Sequence, residues 1–103
     1  MLILSRIRSE SVIVSIGQCG GVLTLLDRME DDAVVLNWHD LSSATCRKVT
    51  VTANGCELSI GDASFMIKLT RLVGGRATLG FQAPDAVRIV RAEARADGAK
   101  VAA

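Results

Sequence analysis

The residues of this chain with the plainest chemistry are arginines set on alternating apolar runs near its two ends. Arg6 and Arg8 stand among Leu4 and Ile7, and Arg91 closes the run VRIV. A guanidinium presents a planar fork of donors that matches phosphate oxygens or the O6/N7 edge of guanine. Each has a plainer reading beside that one: Arg6 and Arg8 as the solvated face of a strand, Arg91, Arg88 and Arg71 as surface charges. Other candidates carry less. His39 with Cys46, and Cys19 with Cys56, lack the C-x-x-C or H-x-x-x-H spacing of a zinc site. Cys46 and Cys56 sit in alternating runs and are expected in the core. His39 beside Asp40 resembles an oriented base, but no motif supplies a nucleophile. Gly74-Gly75 has no helix after it and is a turn, not a phosphate loop. No enzyme, metal or cofactor is expected.

What positions these arginines is a chain that reads as strands. Apolar residues alternate at period two over Met1–Ile7, Ser11–Ile16, Gly21–Leu26, Ala33–Trp38, Ala44–Thr52, Phe65–Thr70, Arg76–Phe81 and Val87–Val90. Turn signals fall between them at Gly20-Gly21, Glu30-Asp31-Asp32, Asn54-Gly55, Gly61-Asp62 and Gly74-Gly75, of which Asn-Gly is the strongest hairpin cue. Only Arg91–Asp97 favours a helix, a short one with a frayed tail from Gly98. The only proline, Pro84, reads as a corner before the last strand. The expected class is all-β with a short C-terminal helix, as a sandwich or barrel-like fold.

Composition narrows the partners. Half of the 103 residues are hydrophobic, but aromatics are limited to Trp38, Phe65 and Phe81, so the core must be aliphatic and β-branched. Twelve basic residues against eleven acidic give a net charge of +1, so nucleic-acid binding would rest on a local patch. No apolar run nears the about 18 residues of a membrane helix, Arg6 and Arg8 interrupt the N-terminal run too early for a signal peptide, and three scattered cysteines make no disulfide framework. The cytoplasm is the expected compartment.

The chain also repeats itself. VVLNWHDLSSATCRK (34–48) aligns with ATLGFQAPDAVRIVR (77–91), setting Leu36 on Leu79, Trp38 on Phe81, Ala44 on Val87, Cys46 on Ile89 and Lys48 on Arg91. GVLTLLDRMEDD (21–32) falls on SFMIKLTRLVGG (64–75), and, with a small shift, RSESVIVSI (8–16) on NGCELSIGD (54–62).

IGDASFMIKLTRLVGGRATLGFQAPDAVRIVRAEA, with its A-P-x-x-V-x-I-x-R segment, together with the opening MLILSRIRSES, resembles the carbon storage regulator (CsrA/RsmA) family over about half the chain. The resemblance implies intertwined antiparallel strands and binding of single-stranded GGA motifs in messenger leaders, changing translation or message stability. Members are short five-stranded proteins that dimerise, so the surplus length and the repeat suggest a single-chain pseudo-dimer of two modules, 1–47 and 48–103. The first module's last strand, ATCRK, would then run straight into the second module's first. One module with an insertion from Gly17 to Ser59 fits the same length.

In the family the RNA site joins the first strand of one protomer to the last strand of the other. Carried onto matching positions, this implies Leu4 and Arg6 with Ala83, Pro84, Val87, Ile89 and Arg91, and Glu93 at the helix start. Without aromatics for stacking, hydrogen-bond readout of splayed bases beside an arginine is the fitting chemistry. A second, degenerate site would combine Arg47 and Lys48 with Thr50 and Thr52. There Asp40-Leu41 replaces the Ala-Pro corner, and Lys48 lacks the planar fork. Ser9 stands where the family's first turn has glycine, and Ile7 where a second arginine is common, so even the better site is expected to bind less tightly. The implied partners are a messenger leader or small regulatory RNA. A retained fold with weak RNA binding would instead engage another family member or a flagellar assembly factor. A monomer containing both halves is expected, with a homodimer as the other possibility.

Overall fold

Alternation makes each apolar run a strand with one buried face, and the computed structural model, which describes residues 2–30 and 32–92, has strands as its only elements there. They are β1 (Leu2–Ile7), β2 (Ser11–Ile16), β3 (Cys19–Glu30), β4 (Ala33–Asp40), β5 (Thr45–Val51), β6 (Cys56–Ile60), β7 (Ala63–Val73), β8 (Arg76–Gln82) and β9 (Arg88–Arg91). Two antiparallel sheets result. Sheet I has the order β1-β8-β7-β6 and sheet II the order β5-β4-β3-β2-β9.

The chain changes sheet three times. It crosses after β1 through residues 8–10, after β5 through 52–55, and after β8 through the Ala-Pro corner. The outcome is an exchange of strands between the halves. Among the described residues β1 finds its only partner in β8, with Leu4 opposite Leu79, and β9 its only partner in β2, with Ile89 opposite Val14. The inner faces of both sheets supply one core, in which Val12, Val14, Leu23, Leu36, Leu58, Ile60, Phe65, Ile67, Leu79 and Phe81 are buried. Each such side chain contributes about 1.5–3 kcal/mol on removal from water. Across the gap the rings of Trp38 (β4) and Phe65 (β7) meet edge to face, 5.6 Å between centroids at 67°.

The repeat is visible as geometry. In β3 the register with β4 slips between Leu25 and Asp27, and in β7 the register with β8 slips between Leu69 and Arg71. Each bulge lies one step past a leucine that faces a leucine of the next strand, Leu36 or Leu79. A bulge adds local twist and bend, so the two hairpins curve at matching places. Gly17 and Gly61, both with φ near +56° (55° and 57°), occupy the two-residue turns β2–β3 and β6–β7.

Several sequence expectations need correction. The strand β6 was not among those expected, although Cys56, Leu58 and Ile60 alternate. Gly20-Gly21 is no turn but part of β3, and Asn54-Gly55 closes no hairpin: a turn with Gly55 N–H donating to Thr52 O (3.1 Å) carries the chain between sheets. The expected division at 47/48 falls inside β5. That segment is not a last strand for the first half, because it pairs with β4, Val49 opposite Leu36 and Val51 opposite Val34, just as β1 pairs with β8. The first half therefore supplies four strands rather than five. The cause lies in the turn: Asp40 Oδ1 accepts from Ser42 N (3.0 Å) and Ser43 N (3.4 Å), and Ala44 takes φ +56°, folding the chain back into sheet II. Pro84 does the opposite, and β8 and β9 lie in different sheets. Cys46 is exposed rather than in the core. Arg91 ends a strand, and the helix expected beyond it, with Glu93, lies outside the described residues.

Gly21 shows how tightly the sheets are filled. A Cβ there would stand 2.7 Å from Cζ2 and Cζ3 of the Trp38 indole. Gly21→Ala should cost about 1–3 kcal/mol through overpacking, read from urea unfolding. A double-mutant cycle with Trp38→Phe should recover part of the loss, because the smaller ring vacates the contested space.

Candidate nucleic-acid interface

β1 and β9 are the edges of different sheets, yet they lie on the same side of the sandwich. The short connection 8–10 leads from β1 directly into β2, and β2 holds β9. Its turn is tied down by Ser9 N–H to Leu25 O (2.8 Å), Glu10 N–H to Ile7 O (3.0 Å) and Leu25 N–H to Glu10 O (3.0 Å). Ser9 adopts φ +75°, the left-handed region that a side chain disfavours. A glycine would take this conformation without strain, and Ser9 carries it.

Arg6 is not where a ligand would reach it first. It is 4% exposed, pointing inward opposite Ala77. Its Nε–H donates to Ser5 O (2.7 Å), its Nη1 to Ser11 O (3.1 Å), and Glu10 Oε1 lies 3.8 Å from Nε. Glu10 in turn accepts from Ile7 N–H (2.9 Å). Arg6 thus fastens β1 to the start of β2, and its charge is compensated by carbonyl dipoles and a half-buried carboxylate. Leu4 is likewise buried.

Arg91 differs. It sits on the edge strand opposite Val12, is exposed, and makes no hydrogen bond or ion pair among the described residues. Ser11, which holds Arg6, precedes Val12, so both arginines lie by the start of β2. Ile89 and Val87 pack against the core beneath this edge. The corner before it is held by Val87 N–H donating to Pro84 O (3.0 Å), with Ala83 and Pro84 exposed. Leu4, Arg6, Ala83, Pro84, Val87, Ile89 and Arg91 therefore do belong to one side of the molecule, with the corner, Arg91 and the strand edges open.

Sequence reasoning missed the apolar surface there. Leu2, Ile3 and Ile7 of β1 and Val90 of β9 are large and exposed. Alternation gave the signal: in MLILSRI, Ile3 and Ile7 are out of phase with Leu4 and apolar too. The free N–H and C=O groups of two edge strands beside an exposed guanidinium suit flat, polar-edged ligands such as unstacked bases.

No known protein family matches the chain, and no curated protein or solved structure matches it. The site is therefore read from its own geometry.

The second expected site is not assembled. Arg47, Lys48 and Thr50 lie along β5, and Thr52 follows it, so all four come from one segment rather than two facing strands. The register puts Val49 and Val51 inward, and Thr50 and Lys48 on the solvent face. Thr52 is occupied with the turn, its Oγ1 accepting from Asn54 N–H (3.2 Å).

These roles separate by mutation. Arg6→Ala should lower stability by about 2–3 kcal/mol, since it strips donors from carbonyls in a water-poor corner, whereas Arg91→Ala should stay within about 0.5 kcal/mol of the parent. Ser9→Gly should raise stability by about 0.5–1 kcal/mol by relieving the left-handed strain. Chemical unfolding monitored through Trp38 measures all three.

Proposed function

We propose that this protein is a sequence-selective binder of single-stranded RNA that regulates messenger translation or stability, built as a single-chain pseudo-dimer of two carbon-storage-regulator-like modules with one working site. The observation that carries this reading is the meeting of β1 and β9 on one side, with Arg91 free beside them. It is the pairing of first and last strands that the sequence resemblance implies. The matched bulges in β3 and β7, and the like placement of β1 beside β8 and β5 beside β4, support duplication over a long insertion.

In this reading an RNA loop lays its unstacked bases along the two edges. Backbone groups of β1 and β9 read base edges, while Leu2, exposed at the start of β1 on the face it shares with Leu4, gives a base an apolar contact. Arg91 supplies the bidentate contact to phosphate or guanine, and Arg6 acts by holding β1 in place. On the opposite side the edge strands are β5 and β6, and among the described residues no counterpart of β9 lies beside β6, so one RNA site per chain follows.

A second reading is a protein-interaction module with little RNA affinity, favoured by the burial of Arg6 and the near-neutral net charge. Gel-shift titration with a GGA-bearing hairpin separates the two. The parent should bind with one-to-one stoichiometry, Arg91→Ala should bind at least about tenfold more weakly, and Lys48→Ala should bind as the parent does. Equal affinity of the parent and Arg91→Ala would overturn the site, and absence of binding at low salt would favour the interaction module.

A further inference from the structure

The two sheets are unequal in one respect. β2 and β6 are counterparts: each opens a run of three consecutive hairpin-linked strands and turns through a positive-φ glycine. β2 is covered on its outer side by β9, in the register Ile13 opposite Val90 and Ser15 opposite Arg88. Among the described residues nothing pairs with the outer side of β6. The sandwich therefore carries a strand slot whose twin, in the same molecule, is filled.

The slot is also unguarded. Edge strands are commonly protected by inward charges, by lysine or arginine, by proline or by a bulge. β1 has the inward Arg6, β5 has Arg47 and Lys48, and β9 is four residues long with Arg88 and Arg91. β6, CELSI, has none of these and pairs with β7 without a register shift. The two-residue turn Gly61-Asp62 makes Ile60 and Ala63 a hydrogen-bonded pair, so by alternation the N–H and C=O groups of Glu57 and Ser59 point out to the open side. Both residues are exposed.

We propose that β6 pairs antiparallel with β6 of a second copy of this chain, about a twofold axis at Leu58. In that register Glu57 faces Ser59 of the second copy as a hydrogen-bonded pair, twice by symmetry, and Cys56 faces its Ile60 on the core side. No like charges stand directly opposite. The two Glu57 side chains are diagonal neighbours, and Lys68 of β7, two residues on from Met66, which pairs with Glu57, lies on their face. A twofold pairing closes on itself and leaves neither copy with an open β6. A β9 strand lent by a second copy would instead uncover β2 in the donor and would not close. Sheet I becomes eight-stranded, with the two β1 strands at its far ends, about 34 Å apart at the usual strand spacing. If the RNA reading above holds, and this consequence rests on it, the dimer presents two sites to one RNA and regains the avidity that a one-site chain forgoes.

The test needs no RNA, so its failure and that of the RNA reading are distinguishable. Sedimentation equilibrium from about 10 micromolar to about 1 millimolar, the range a small strand-only contact calls for, should show a monomer–dimer equilibrium. Ser59→Pro, which removes an outward N–H without touching the β6–β7 ladder, and Ser59→Lys, which installs an edge charge, should each weaken association at least tenfold with the Trp38 fluorescence of the folded chain unchanged. Amide exchange should slow with concentration at Glu57 and Ser59. A single-chain mass throughout this range would overturn the proposal. So would a dimer that both Ser59 variants leave intact, or one whose protection appears at β1, β5 or β9 instead.

Discussion

The strand exchange at the two ends of the chain is the constraint on which everything else depends. Among the described residues β1 has no partner except β8, and β9 none except β2. Neither end can form its ladder until the far half is folded, so closure of nearly the whole chain must be paid in entropy before these pairs reward it. What compensates is the shared core. Leu4 and Leu79 are buried together in one sheet, and Ile89 packs beside the fully buried Val14 in the other.

That exchange also creates the candidate interface. An edge strand from each sheet is brought to one side because a three-residue connection links β1 to β2, and Arg6 pins that connection from within. A buried arginine holding backbone carbonyls is a positioning device, while Arg91 stands exposed on the neighbouring edge strand.

The asymmetry between the halves reduces to two turns. Asp40 caps a tight return that keeps β5 in the sheet of β4, and the Ala83-Pro84 corner sends β9 to the other sheet. One turn leaves β6 bare and the other covers β2. A single chain with near-repeated halves thus carries one completed edge and one open slot, and the two sides of the sandwich are suited to different partners.

Much of this was legible in the residues alone. Period-two alternation determined the all-β class and most of the strands, because the pleat sends successive side chains to opposite faces whatever the partner. The repeat aligned Leu36 with Leu79 and Trp38 with Phe81, and the family-like ends marked seven candidate residues. What alternation cannot specify is which strands become neighbours, since a strand's pattern records only that one face is buried, not by whom. Hence ATCRK was taken for a last strand running into a first one when the whole segment pairs with β4, and Asn54-Gly55 for a hairpin when it is a crossing. Only the tertiary structure decided that Arg6 is enclosed while Arg91 is free, because both end similar runs and differ solely in what the opposite half packs against them.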